Sequence, residues 1–119
     1  MAVLVIVDDL IFRSRIVTAA SHLPASIRLT DAASMPAARS TDDWQLVIVD
    51  LNLESGDPIA LIRHLRGSLP STPIVGFFSH VQVELQQRAQ EAGCSVVMPR
   101  SAFVRVLPQL LLGELPPSA

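Results

Sequence analysis

Two short apolar runs, each ending on aspartate, limit more than any other feature what this chain can fold into. Ala2–Val7 runs directly into Asp8 and Asp9, and Leu46–Val49 runs directly into Asp50. Unbroken, valine-rich runs of this length read as strands covered on both faces. Strands of that kind belong to a parallel sheet with helices packed on either side. Ligands of such sheets bind in the crevice beyond the carboxyl ends of the strands. If the two strands are neighbours, three carboxylates meet there, which is costly unless a cation shares the site. The sequence therefore predicts a small acidic metal site.

The remaining segments fit the same plan. Phe12, Ile16, Ala19 and Leu23 recur at helical spacing until Pro24 stops the pattern. Ile27–Thr30 can form a short second strand, and Ala33–Arg39, interrupted by Pro36, a weak helix at best. Gln45–Val49 is the third strand. Asp57 and Pro58 read as an N-cap followed by proline at the first helical position. Ile62, Leu65 and Leu69 continue that helix toward Pro70, and Pro73 opens a fourth strand, Ile74–Phe78. Leu85, Ala89 and Ala92 mark one face of the next helix, which Gly93 ends. Val96–Met98 is a fifth strand, and Ser101 is placed to cap a last helix whose inner face is Phe103, Leu107, Leu110 and Leu111. Five strands alternating with about five helices predict a doubly wound α/β fold with a five-stranded parallel sheet and right-handed crossovers.

Composition narrows the function. The 119 residues suffice for a single domain, so no output domain is expected and a signal would leave through a partner. With 50% apolar and 17% charged residues the chain is globular, and its net charge of −2 with no basic stripe argues against direct nucleic-acid binding. Cys94 alone gives no internal disulfide and no Cys-rich zinc site, and it reads as a small core filler. No run reaches the roughly 18 apolar residues of a membrane span, and Ala2–Val7 is too short for a signal-peptide core. The expected location is cytoplasmic, with no membrane partner. Asp8-Asp9-Leu10-Ile11 stands where a glycine-rich phosphate loop would follow the first strand, so the common modes of nucleotide binding are not expected.

Taken in order, the motifs resemble the receiver domain of two-component response regulators over nearly the whole chain. Val5-Ile6-Val7-Asp8-Asp9 is similar to the family's first strand and acidic pair, and Arg13 to Ile16 to its first helix. Val49-Asp50-Leu51-Asn52-Leu53, followed by Gly56-Asp57, resembles the phosphoacceptor strand and loop. Phe78-Ser79 falls where the family ends its fourth strand in threonine or serine, and Glu91-Ala92-Gly93-Cys94 resembles the turn before the fifth strand. Two departures stand out. Arg100-Ser101 replaces the usual Lys-Pro with its cis bond, and Val97 and Met98 replace the usual aromatic just before it. A cis bond before serine would cost about 2.5–4 kcal/mol, so a different loop is expected there. Pro58, in place of a usual glycine, suits the first position of a helix.

The resemblance implies a flavodoxin-like sheet order, 2-1-3-4-5, and a chemistry. Asp50 would accept a phosphoryl group from a phosphohistidine on a sensor histidine kinase or phosphotransfer protein. Asp9, Asp50 and the backbone carbonyl of Asn52 would hold Mg²⁺, with Asp8 acting through water. That suits a hard ion that keeps several waters and needs only one or two carboxylates. Ser79 would bond a phosphoryl oxygen, and Arg100 would balance the product's charge as a longer, planar substitute for lysine. The phosphorylation state would then be read by a downstream protein. Receivers often dimerise through the face of the last two helices, and the sequence leaves that open here. With no ring at Val97 to rotate, a switch would have to use backbone shifts or the exposed side chains of Val81 and Val83.

Other readings compete. Asp8 or Asp9 can simply cap the first helix. Ser79 can be a turn residue, and His22, His64 and His80 read as surface residues without metal-ligand spacing. On that view the chain is a phosphorylation-independent pseudo-receiver, a protein-binding module whose Arg100 is locked to Asp50 or turned away. An aspartate-based hydrolase is a third reading, but those enzymes need a second aspartate where this chain has Asn52.

Overall fold

The computed structural model describes residues 2–30, 44–53, 56–79 and 83–115. Within them the chain runs β1 (Ala2–Ile6), α1 (Leu10–Ser21), β2 (Ile27–Thr30), β3 (Trp44–Asp50), α2 (Pro58–Ser68), β4 (Ile74–Phe78), α3 (Val83–Ala92), β5 (Val96–Pro99) and α4 (Arg100–Leu111). All strand pairs are parallel, and the sheet order is β2-β1-β3-β4-β5, the doubly wound order expected. Four helices flank the sheet among the described residues. The weak helix expected over Ala33–Arg39 lies outside them, as do His80 and Val81.

Side chains alternate across each strand and fill two cores. Leu4, Ile6, Val47, Val49 and Ile74 face α2 and α3, where Ile59, Ile62, Leu65, Ala89 and Ala92 meet them. Val3, Val5, Leu46, Ile48, Val75 and Phe77 face α1 and α4, against Phe12, Ile16, Phe103, Leu107 and Leu110. Both faces of β1 and β3 are thus buried, which is why their sequences show apolar runs and no alternation. Cys94 is buried in the first of these cores, and its thiol is pushed up to about 12 by burial, the nearby Arg66 cation opposing. It is a structural side chain.

Local signals set most element boundaries. The Asp57 carboxylate accepts from the backbone N–H groups of Ile59 and Ala60, with Pro58 at the first helical position. Ser101 does not cap the last helix: α4 starts two residues earlier than that cap would set it, at Arg100, with Pro99 as N-cap and no side-chain cap bond. Proline at that place supplies an extended backbone, φ −70° and ψ 157°, from which the helix can start directly. No cis peptide bond occurs among the described residues.

Gly93 turns the chain from α3 toward β5 with φ +135°. A Cβ there would lie 2.9 Å from both Cβ and Cγ of Arg66. Gly93→Ala is therefore expected to destabilise the fold by about 1–3 kcal/mol, from backbone strain and the displaced arginine together. Urea unfolding of the two proteins side by side checks this.

Candidate functional site

Topology brings the acids to one end of the sheet. The register pairs Ile6 with Val49, so the residues just beyond them, Asp8–Asp9 and Asp50, leave neighbouring strands at the same edge. The N-terminus of α4 opens at that edge too, because β5 ends there at Pro99.

Asp9 is an N-cap. Its Oδ1 accepts from Ile11 N–H at 2.9 Å and from Phe12 N–H at 3.2 Å. Its Oδ2 lies 3.6 Å from Nη2 of Arg100. These contacts, the Phe12 N–H first, hold the Asp9 carboxyl below the ordinary aspartate value, against a smaller opposing effect of desolvation. The capping role weighed for this residue is present, and Arg100 is added to it.

Asp50 is the buried acid, 5% exposed. Its Oδ1 accepts from Asn52 N–H at 2.9 Å. Burial pushes its carboxyl above the ordinary aspartate value. Asp8 and Asp9 push the same way through their charges, while the Asn52 N–H and Arg100 oppose. Asp50 therefore feels the charges of both other acids.

Asn52 links two strand ends. Its Oδ1 accepts from the backbone N–H of Ser79 at 2.6 Å, tying the loop after β3 to the end of β4. Ser79 is exposed beside it. The second aspartate that a hydrolase of this type would need is thus an amide bound to a neighbouring backbone.

Arg100 lies at this same edge, pairing with Asp9; it makes no ion pair with Asp50 and is not turned away. Its guanidinium lies over the Phe12 ring, 4.0 Å from the centroid. Sequence reasoning assigned Phe12 only to the core stripe of α1. No pattern links positions 12 and 100, so the contact became visible only when the sheet placed the ends of α1 and α4 together.

Among the described residues no group of three or more His, Cys, Asp or Glu side chains stands close enough to enclose a metal ion. A hard ion that keeps its waters needs no such enclosure. Asp50, Asp9 and a backbone carbonyl such as that of Asn52 could offer such an ion only oxygen donors, provided Asp9 gave up its pairing with Arg100. His64 is exposed on α2, and His22 is exposed in the turn that ends α1. No helix of the described residues is long and apolar enough to cross a membrane.

No family model matches the sequence, and curated proteins give no match. Solved structures do. NtrX from Brucella abortus is similar at 23% identity and a TM-score of 0.78, over 94% of this chain and 27% of that one. A response regulator protein from Burkholderia pseudomallei, with a phosphorylated aspartic acid, calcium ion and citrate, is 18% identical with a TM-score of 0.81, over 92% and 65% of the two chains. The Mn²⁺-bound form of response regulator Rcp1 is 14% identical with a TM-score of 0.71, over 94% and 89%. The chain thus spans about a quarter of NtrX and less than two thirds of the Burkholderia protein.

Proposed function

We propose that this chain, which has the fold of response-regulator receiver domains, accepts a phosphoryl group on Asp50 and signals by binding another protein. The observation that carries the reading is Asp50 itself: a buried carboxylate at a strand's carboxyl end, beside two further acids and a cation. One of its oxygens, Oδ1, is held by Asn52 N–H, which leaves Oδ2 as the nucleophile. Attack on the phosphorus of a phosphohistidine would form the O–P bond of an acyl phosphate and break the N–P bond, the imidazole leaving. The donor would be a sensor histidine kinase or phosphotransfer protein.

A divalent cation, when bound, would offset the charge gathered as phosphoryl moves onto a carboxylate. Asp9 and Asp50 would hold it, with Asp8 reached through water. Ser79, fixed by its backbone bond to Asn52, would offer its hydroxyl to one phosphoryl oxygen. Arg100 would offer a guanidinium to another, a charge-assisted bond that exists only in the product. Burial of Asp50 would limit the access of water to the acyl phosphate. Similar proteins solved with a phosphorylated aspartic acid and with Mn²⁺ support this reading. A cytoplasmic setting, where such donors work, fits it as well.

Incubation with acetyl phosphate and Mg²⁺ should add one phosphate to the parent protein and none to Asp50→Asn, read by intact-mass spectrometry. A folded parent that gains nothing dependent on Asp50 refutes the proposal.

One observation favours the alternative, a phosphorylation-independent binding module. Both oxygens of Asp9 are already engaged, one in the helix cap and one with Arg100. On that reading Mg²⁺ finds no ligand there, and titration leaves the amide shifts of Asp9 and Asp50 unchanged.

A further inference from the structure

Arg100 is held by an aromatic seat as well as by Asp9. The Phe12 ring beneath it is 2% exposed. It is packed against Phe77 at 5.2 Å and Phe103 at 5.8 Å between ring centroids. Those two rings stack on each other at 4.2 Å, so the seat is an outcrop of the core. Above it, Nε of Arg100 is buried and has no hydrogen-bond acceptor among the described residues. An N–H that has lost water without gaining an acceptor is costly, and the attraction of the guanidinium to the ring face is the compensation at hand. The ring and the carboxylate belong to one turn of α1: Asp9 caps the helix on the N–H of Phe12. Arg100 is thereby held between a π face and a carboxylate fixed in mutual position.

We propose that Phe12 is a positioning residue whose ring holds Arg100 against Asp9 as a resident cation, and that this seat sets the divalent-metal affinity of the acid site. The inference rests on the reading that Asp9 and Asp50 receive the ion. An ion bound to Asp9 and the guanidinium now 3.6 Å from its Oδ2 are like charges competing for one carboxylate. The ion must therefore displace the pair, and whatever the ring contributes to holding Arg100 is subtracted from metal binding. Phe12 acts only through Arg100, and it carries no charge of its own. The displaced guanidinium would remain at the same edge of the sheet, available to a phosphoryl group on Asp50.

The test is a Mg²⁺ titration, repeated with Mn²⁺, on the whole chain as parent, Phe12→Leu, Arg100→Gln and the double variant. Amide shifts report Mg²⁺ and water relaxation reports Mn²⁺. Arg100→Gln should bind about tenfold more tightly or better, since a full positive charge leaves the site. Phe12→Leu keeps every charge, yet should bind roughly two- to fivefold more tightly, the worth of a cation–π contact at a partly exposed site. In the Arg100→Gln background the same change should have no effect, because the seat then holds nothing. The Arg100 Nε–H resonance should be ring-shifted in the metal-free parent and lose that shift both on metal binding and in Phe12→Leu. Should Phe12→Leu fail to fold, Arg100→Lys serves, since the more strongly hydrated ammonium seats less well on a ring and should also bind metal more tightly than the parent. Parent-like affinity in the seat variants, or a Phe12→Leu effect that persists undiminished without Arg100, overturns the seat alone. Absence of binding in every variant overturns the metal site itself, and the seat with it.

Discussion

Replacing Arg66 by alanine is expected to lower the unfolding free energy by about 3–4 kcal/mol, although this arginine forms no ion pair among the described residues. It stands in the last turn of α2 and, among the described residues, donates only to backbone carbonyls. Nε and Nη2 reach Gly93 O at 3.1 and 2.7 Å, and Nη1 reaches Leu69 O, Pro70 O and Thr72 O at 3.0, 3.2 and 2.8 Å. One guanidinium therefore ties the end of α2, the loop into β4 and the turn between α3 and β5. Helix ends leave their last carbonyls without partners, and a cation there also meets the negative end of the helix dipole. Hydrogen bonds from a charged donor contribute about 1.5–3 kcal/mol each, less the entropy of fixing a long side chain, and these share donors. Arg66→Lys should recover less than half of the loss, because a compact ammonium cannot span both Gly93 and the loop. Urea unfolding followed by the fluorescence of Trp44, 4% exposed, reads both values. A loss below about 1 kcal/mol for alanine would mean that water satisfies these carbonyls unaided. Arg66→Ala and Gly93→Ala should also be markedly non-additive, since the glycine's missing Cβ is what lets the arginine stem pass.

The Arg66 clamp shows where sequence reading runs out. Its partners are carbonyl oxygens, which every residue carries, so nothing in the chain distinguishes Arg66 from the exposed Arg63 one turn earlier. The strands were legible because burial on both faces of a parallel sheet leaves an unmistakable run, and Asp57-Pro58 because a cap and an N1 proline act within four residues. Asp8, Asp9 and Asp50 could be placed together because strand order and strand ends follow from the alternation of elements. Ser101 misled for a local reason: serine is a strong N-cap, but Pro99 had already set the extended backbone from which α4 starts. The orientation of Arg100 was out of reach, because it depends on a ring 88 positions away that reads as core and serves as core too.

Asp50→Asn should make the metal-free protein more stable at neutral pH, by about 1–3 kcal/mol, even as it removes the proposed phosphoacceptor. Burial raises the Asp50 carboxyl in the fold above its ordinary value, helped by the charges of Asp8 and Asp9 and only partly opposed by Asn52 N–H and Arg100. A raised carboxyl means that the folded protein binds the proton more tightly than the unfolded chain does. Its favourable contribution is complete below the ordinary aspartate value and is lost as pH rises through the higher, folded value. Above that, the ionised buried group weighs against the fold, and asparagine removes the charge while keeping an oxygen for the Asn52 N–H. The stability gap between variant and parent should therefore be widest at neutral pH and close as pH falls through the folded value of Asp50 toward the ordinary aspartate value. Asp9 runs the other way: its carboxyl is lowered in the fold, so its contribution holds at neutral pH and fades in acid. Because that loss is common to both proteins, their difference isolates Asp50. Saturating Mg²⁺ should narrow the gap at neutral pH, since an ion on the same carboxylate offsets the buried charge. A gap that is independent of pH would place the stabilisation in packing and not in charge. A pH-dependent gap that Mg²⁺ leaves untouched would confirm the strained carboxylate and count against its role as a ligand.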